Sequence, residues 1–195
     1  MSDRNMADSF ELTDHVPTPA EVIAACDQSQ NVGNMSPSTV MASNLETYSV
    51  STYRTGDVIK TTIYIDLTGV ASTTTDHDII GATGACHIGQ VTTAVNGVIY
   101  AGQVSCAEVP AGGVTDIDLG SSSVATGAYD ADMTALTNAQ AIMTAGGAHA
   151  VGTVKPFTVL PTADYYLYLA SGTSGTAATY TAGKLIIEMW GLASS

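Results

Sequence analysis

The chain has 195 residues, of which only 12% are charged, and its 18 acidic residues against five Lys and Arg give a formal net charge of -13. Clustered cations are needed to neutralise a nucleic-acid backbone or to hold an anionic membrane surface, so this composition argues against both as partners. It favours a surface of small, uncharged side chains that packs against other proteins.

The first predicted unit is an N-terminal arm, residues 1–45, which lacks the alternating apolar pattern of a strand. Thr18-Pro19-Ala20-Glu21 has the form of a capping box, with Thr as the N-cap and Pro at the first helical position. It predicts a short helix that continues through Val22 and Ile23. Because such a segment is hardly ordered alone, we expect another surface to hold it.

The second predicted unit is a β domain, residues 46–195. Tyr48–Tyr53 and Ile59–Leu67 are rich in β-branched and aromatic residues, and the second segment alternates between apolar and polar positions. Asn96-Gly97 separates two further apolar runs. Since Asn-Gly accepts the positive φ angles of a type I′ turn, this pair predicts a β-hairpin.

Two later regions complete the predicted domain. Apolar spacing between Asp130 and Ala145, with a second capping box at Thr137-Asn-Ala-Gln140, predicts a helical insertion. Asp164–Leu169 and Lys184–Trp190 flank a loop of small residues and predict a final hairpin that is covered on both faces. About eight strands with one helical insertion favour an all-β, antiparallel sandwich of jelly-roll type, with an Ig-like sandwich as the alternative.

The cysteines and the N-terminus bear on where the chain is made. Cys26, Cys86 and Cys106 are odd in number and lack C-x-x-C spacing, so we predict buried, reduced thiols instead of a disulfide framework or a zinc site. The first residues lack the apolar stretch of a signal peptide, and no apolar run reaches transmembrane length. We therefore expect synthesis in a cytoplasm.

Residue types that carry catalytic or metal chemistry are present but dispersed. Asp76-His77-Asp78 is the best metal candidate by residue type, and a metal-dependent jelly-roll enzyme would combine its histidine with His87 and Glu188. Asp116 and Asp118 alternate along a strand, which suits either acid–base work or, as we favour, an exposed polar face. No H-x-H pair, G-x-S-x-G elbow or phosphate-binding glycine loop occurs. We predict a non-enzymatic protein without catalytic residues, metal or cofactor.

Aromatic side chains are concentrated near the C-terminus. They can stack on sugars, or they can line a protein interface, since interfaces enrich aromatic residues and Met; we favour the interface. The aromatic residues concerned are Tyr165, Tyr166, Tyr168, Tyr180 and Trp190. The predicted interface residues, from the arm and the final hairpin, are Thr18, Pro19, Val22, Ile23, Met35, Met41, Tyr166, Tyr168 and Trp190.

Three segments of the β region resemble virion structural proteins of tailed phages, especially marine and cyanobacterial ones. They are Cys106-Ala-Glu-Val-Pro-Ala-Gly-Gly-Val-Thr-Asp-Ile-Asp-Leu119, Tyr165-Tyr-Leu-Tyr-Leu169 and Tyr180-Thr-Ala-Gly-Lys-Leu-Ile-Ile-Glu-Met-Trp-Gly191, and the likeness spans residues 57–191. The resemblance implies a capsid decoration, or cement, protein on the virion surface, made in the host cytoplasm. It further implies a homotrimer that binds between subunits of the major capsid protein. The alternative is a tail or fibre module that binds host glycans through its tyrosines.

Overall fold

The computed structural model describes residues 30–31 and 33–193. The first predicted helix, with Thr18, Pro19, Val22 and Ile23, lies outside the described residues, as does Cys26. In the described part, twelve strands are joined by two short helices and a 3-10 turn. The strands are β1 (Gln30–Asn31), β2 (Thr47–Thr55), β3 (Val58–Asp66), β4 (Ala71–Ser72), β5 (Gly89–Gln90), β6 (Val98–Ala111), β7 (Ile117–Ser122), β8 (Gln140–Met143), β9 (Val154–Pro156), β10 (Tyr166–Ser171), β11 (Ala178–Thr179) and β12 (Ala182–Leu192). The helices are α1 (Thr39–Asn44) and α2 (Thr93–Asn96), and the 3-10 turn is Met133–Ala135.

Two antiparallel sheets make up most of the fold. One has six strands in the order β1-β2-β3-β12-β6-β9, and the other has four in the order β5-β10-β7-β8. Four strands of the first sheet, β3-β12-β6-β9, and the four of the second follow the connectivity of a jelly roll, and β1 and β2 extend the first sheet beyond β3. The predicted all-β sandwich is confirmed, in its jelly-roll form and not in the Ig-like alternative.

The six-stranded sheet separates a core face from an outer face. On β12, Leu185, Ile187 and Met189 are buried, whereas the residues between them are partly exposed. The register places Leu185 opposite Ile65 and Ile187 opposite Ile63, so these side chains share the inner face. Burial of each stabilises the fold by about 1.5–3 kcal/mol. The alternation predicted from sequence for β3 and β12 is thus confirmed.

The four-stranded sheet is covered on both faces by this chain itself. Every residue of β7 is buried, and so are the adjacent Leu167 and Tyr168 on β10, which point to opposite sides. Gly127 is so close to Tyr168 and Leu136 that it has no room for a side chain, which shows that the loop after β7 packs on the tyrosine. The Tyr168 hydroxyl donates a hydrogen bond to the Val124 carbonyl at 2.6 Å. The second face therefore needs no other subunit.

The hairpin predicted at Asn96-Gly97 is wrong. Residues 93–96 form α2, whose N-cap Thr92 accepts a hydrogen bond from the Val95 amide at 3.2 Å. The Asn96 side chain accepts from the Thr92 amide at 2.8 Å, and Gly97 takes its positive φ of 70° at the end of the helix. Gly97 therefore uses its positive φ to end a helix as the C-cap, and not to form a hairpin turn.

The final hairpin is also wrong, although both of its strands exist. β10 pairs with β5 and β7 in the four-stranded sheet, whereas β12 pairs with β3 and β6 in the six-stranded sheet. The connection between them crosses from one sheet to the other and forms β11, which pairs with β4. The predicted loop of small residues is therefore a crossover.

The predicted helical insertion between Asp130 and Ala145 is reduced to a single 3-10 turn. Asp132 caps this turn by accepting a hydrogen bond from the Thr134 amide at 2.8 Å. Gln140 does not close a capping box: its side chain bonds the hydroxyls of Ser121 and Thr162 at 3.0 Å each, and it begins strand β8. Pairing of β8 with β7 overrides the local helical signal.

The last residues of the predicted arm, 33–45, contact the β strands. Met35, Met41 and Leu45 belong to the buried core, and Met35 packs against Gly89 of β5. Ser38 caps α1 by accepting a hydrogen bond from the Met41 amide at 3.1 Å. Three residues near the end of the predicted arm therefore pack into the core of the β domain.

Candidate interaction surface

The outer face of the six-stranded sheet carries an exposed apolar patch at one end. Val58, Leu192 and Val98 are opposite one another on β3, β12 and β6, so their side chains form one row across three strands. The next row places Tyr53 and Trp190 on either side of Lys60. The apolar patch consists of Tyr53, Val58, Val98, Tyr100, Trp190 and Leu192. Except for Trp190, which is partly exposed, these residues are between 37% and 59% exposed.

The inner side of this sheet end is held by α2. The Asn96 side-chain amide donates a buried hydrogen bond to the Thr61 hydroxyl at 2.9 Å. Gly191 lies against the Asn96 carbonyl so closely that a side chain there would collide with it. The backbone beneath the apolar patch is therefore fixed by packing and by a buried polar contact, and the patch is presented on a rigid sheet.

The charged groups beside the apolar patch neutralise one another. The Lys60 ammonium is 2.6 Å from a Glu188 carboxylate oxygen, and the Gln103 amide donates to the other oxygen at 2.7 Å. The hydrogen bond from Lys60 lowers the pKa of the Glu188 carboxyl. Lys60 also lies 5.5 Å from the ring centre of Trp190, a cation–π contact. Neither charge is free to repel an approaching surface.

A second ion cluster lies further along the same face. Lys184 contacts the Glu108 carboxylate and is 3.7 Å from an Asp66 carboxylate oxygen. The hydrogen bond with Glu108 raises the pKa of Lys184. On a chain with a formal charge of -13, the three carboxyl groups of Glu188, Glu108 and Asp66 on this face thus lie beside two ammonium groups, those of Lys60 and Lys184.

The predicted interface residues lie in different parts of the structure. Met35, Met41 and Tyr168 are buried in the core of this chain, at 5% exposure or less, and are not on its surface. Trp190 lies in the apolar patch, and Tyr166 is partly exposed on the other sheet. Thr18, Pro19, Val22 and Ile23 lie outside the described residues. Sequence reasoning missed Val98 and Leu192, although their two-residue spacing from Tyr100 and Trp190 was a usable signal.

The aromatic residues do not form one platform. Tyr168 and Tyr180 are buried and donate their hydroxyl hydrogens to the carbonyls of Val124 and Val114. Burial raises the pKa of Tyr168 to about 12. Tyr166 packs against the ring of His87 at 4.9 Å between centroids. The two buried tyrosines cannot reach a sugar, whereas Trp190, Tyr53 and Tyr100 are at least partly exposed on the sheet face.

Asp116 and Asp118 do not form the exposed polar face that we favoured from sequence. Both are buried, at 7% and 9% exposure, because the chain covers this face of the sheet. One oxygen of each lies near Gly172, at 2.6 and 2.8 Å from where a Cβ would be, so glycine is required there. The Ala145 amide donates to Asp118 at 2.6 Å, and within the described residues the Asp116 Oδ1 oxygen has no partner. Burial, more than the neighbouring Asp116, raises the pKa of Asp118.

A cavity of about 150 Å³ adjoins Asp118. It lies between β7, β8 and the 3-10 turn, and His77, Met133, Thr134 and Gln140 are among its lining residues. Its volume is sufficient for a few ordered waters or a very small ligand. The cavity is small beside the usual ligand pocket of about 300 Å³ or more.

The residues of the predicted metal enzyme are not brought together. His77 lies in a loop beside the end of β10, His87 packs against Tyr166, and Glu188 bonds Lys60 on the outer face of the other sheet. Across residues 33–193, no group of three or more His, Cys, Asp or Glu side chains is close enough to hold a metal ion. The combination of His77, His87 and Glu188 is therefore wrong as a single site.

Two further observations concern the free cysteines and the helices of the described residues. Cys86 and Cys106 are buried free thiols, as predicted for these two residues. Within the described residues, no helix combines the length and apolar character needed to span a membrane.

Comparisons with protein-family models, with curated proteins and with solved structures found no match to this chain.

Proposed function

We propose that this protein is a capsid decoration protein of a tailed phage, which stabilises the head by binding between major capsid protein subunits. In this proposal the subunit is a homotrimer on the virion surface, made in the host cytoplasm, and it acts by binding without catalysis. The observation that carries the proposal is the apolar patch, which lies on a rigid sheet face beside neutralised charges. The resemblance of residues 57–191 to phage virion proteins gives the patch its proposed partner.

The composition of the apolar patch favours a protein partner. Contiguous exposed apolar groups that are bordered by polar residues mark interaction sites more often than ordinary surface does. Tyr and Trp are enriched at protein interfaces, where they combine a large apolar area with a polar group. Since Lys60 neutralises Glu188 beside the patch, an approaching subunit does not meet an unpaired charge at this pair.

Shell binding tests the proposal directly. Shells of the major capsid protein from the parent phage are sedimented with the wild-type protein, with Leu192→Asp and with Val151→Asp as the matched control. Val151 is also exposed but lies beside Cys106, at the other end of β6. Loss of a central contact costs about 2 kcal/mol or more, so we expect binding to weaken at least about 30-fold for Leu192→Asp and to be unchanged for the control. Wild-type protein that does not bind shells overturns the proposal.

A glycan-binding tail or fibre module is the second candidate, favoured by the three partly exposed aromatic rings of the apolar patch, Tyr53, Tyr100 and Trp190. Aromatic faces can stack on sugar rings as well as on protein. Binding on a glycan array that is lost in Trp190→Ala and retained in Tyr166→Ala would support this function. Shell binding without glycan binding would support decoration.

A further inference from the structure

Two carboxylates converge on one buried place at the end of the four-stranded sheet. The two-residue period of β7 puts Asp118 on the same face as Asp116, which lies just before the strand, and the register with β10 puts Ala170 opposite Asp118. The Gly172 amide donates to the Asp116 carbonyl at 2.8 Å. The Oδ1 atoms of Asp116 and Asp118 both lie within 2.8 Å of the position that a Gly172 Cβ would take. The neighbouring chain therefore presents only alanine and glycine to the pair, and the two oxygens point to the same place.

One oxygen of this pair has no partner in the described part of the chain. Asp116 is 7% exposed, and its Oδ1 is fully buried without a hydrogen bond from any described residue. Within the same residues, neither carboxylate forms an ion pair with Lys, Arg or His. Lys155, which approaches this region, directs its ammonium to the carbonyls of Ala145 and Gly147. Since buried polar groups are nearly always paired, the orphan oxygen points to a partner from outside the chain.

The surroundings add further negative charge to the pair. The loop that carries Asp76 packs on the end of β10, where the adjacent His77 amide donates to the Ser171 carbonyl at 2.8 Å. Burial raises the pKa of Asp118, and the charges of Asp116 and Asp76 raise it further. A cation between the two carboxylates would offset both the loss of hydration and their mutual repulsion.

The donor atoms and the adjoining space match a hard cation. Calcium takes carboxylate, carbonyl and water oxygens at about 2.3–2.6 Å in a flexible geometry. The cavity of about 150 Å³ that adjoins Asp118 has room for such waters. Across residues 33–193, no third His, Cys, Asp or Glu side chain completes a metal-binding group with the pair. This disfavours transition metals, which need several such ligands, whereas two carboxylates already balance the charge of a divalent ion.

We infer that Asp116 and Asp118 form a binding site for one calcium ion, completed by water from the adjoining cavity. The ion connects the start of β7 to the crossover at Gly172, whose amide bonds Asp116, and to Ala145, whose amide donates to Asp118 at 2.6 Å. It thereby stabilises this end of the four-stranded sheet. The inference departs from the expectation, drawn from sequence, of a protein without metal. It does not rest on the proposed function, because the apolar patch lies on the other sheet.

Calorimetric titration of calcium into the whole chain tests the site. The protein is first treated with EDTA, and about 0.15 M salt screens its exposed acids. We expect one saturable site per chain with a Kd below about 1 mM, and binding at least about tenfold weaker in Asp116→Asn and in Asp118→Asn, since each removes a ligand charge. Asp57→Asn is the matched control, because the Asp57 side chain is 87% exposed, and it should bind as wild type does. Absence of a saturable site, or equal weakening in the control, overturns the inference.

Thermal unfolding separates a calcium ligand from a carboxylate with a structural role only. In EDTA at neutral pH, Asp118→Asn removes a buried charge and should be at least as stable as wild type. Calcium at about 100 times its Kd should raise the Tm of wild type by about 5 °C or more and that of Asp118→Asn much less. Wild type then becomes the more stable of the two. An equal rise in Tm in both proteins overturns the inference.

A proton or an ordered water between the two carboxyl groups is the other way to satisfy the orphan oxygen of Asp116. With either of these, calcium would change the Tm of neither wild type nor Asp116→Asn, and the inference would be overturned. The result is independent of shell binding, so failure of the calcium site leaves the decoration proposal standing, and failure of decoration leaves the calcium site standing.

Discussion

The two sheets of this molecule differ in whether the chain itself covers their outer faces. The four-stranded sheet is covered on both faces by the chain itself, so that the adjacent Leu167 and Tyr168 are both fully buried. The six-stranded sheet has one core face, and its other face holds ion pairs and an apolar patch. The four-stranded sheet is already covered by its own chain, whereas the six-stranded sheet retains an outer surface on which apolar area can still be buried. This difference is the reason why we propose the six-stranded sheet as the partner-binding surface.

Removal of one aromatic side chain from each sheet should give the largest contrast. Tyr168→Ala leaves a cavity between β10 and the loop that covers it and deletes the hydrogen bond to Val124, so we expect a loss of about 3–5 kcal/mol in the free energy of unfolding. Trp190→Ala removes a partly exposed ring and should cost about 1 kcal/mol. Urea unfolding of both variants measures the difference. Equal losses would show that the outer face of the six-stranded sheet is also buried.

Neighbouring residues on β12 test the two faces of the six-stranded sheet itself. Ile187 is fully buried and Ile186 is only partly so, although both lose the same atoms on truncation. We expect Ile187→Ala to cost about 3 kcal/mol and Ile186→Ala less than about 1 kcal/mol. Urea denaturation measures both losses in the free energy of unfolding, provided that the variants and wild type have equal m-values. A larger cost at Ile186 would mean that something covers the outer face there.

The two sheets should also respond to pH with opposite sign, though more weakly. Burial raises the pKa of Asp118 above 3.8, so its contribution to stability is present below that pH and is lost as the pH rises through the folded value. The hydrogen bond from Lys60 lowers the pKa of Glu188 below 4.5, so its contribution is present above that pH and is lost as the pH falls through the folded value.

Conservative amide variants isolate these two carboxyls. As the pH rises from about 3 to about 7, we expect Asp118→Asn to become more stable relative to wild type and Glu188→Gln to become less stable relative to wild type. Urea unfolding across this range measures both differences, and the effect at Glu188 should stay within about 1 kcal/mol because the ion pair is near the surface. If the stability of each variant relative to wild type does not change with pH, the roles assigned to burial at Asp118 and to Lys60 at Glu188 are contradicted.

Sequence reasoning succeeded where the pattern depends on neighbours within one strand. The alternation in β3 and β12 follows from the two-residue period of a strand with one buried face, so Ile63, Ile65 and Leu185 are predictable without any tertiary information. The same rule failed for Asp116 and Asp118. A period of two identifies a shared face but not what covers it, and here a loop far along the chain does so.

The other failures concern pairing partners. Asn96-Gly97 has the backbone freedom for either a hairpin turn or a helix C-cap, and the buried bond from Asn96 to Thr61 selects the cap. β10 and β12 were both recognised as strands, yet local sequence does not encode that they join different sheets. The apolar patch was missed for the same reason, since Val58, Leu192 and Val98 become neighbours only through the register of three distant strands.

β12 lies at the centre of the six-stranded sheet, between β3 and β6, although it is the last strand of the described chain. During synthesis the first half of this sheet is complete long before residue 192 leaves the ribosome, and until then β3 and β6 have unpaired edges. The sheet can therefore close only after translation has passed this strand, and with many long-range pairings its folding should be slow. Nascent chains would then present two open strand edges, and a truncation within β12 would abolish the fold instead of merely shortening it.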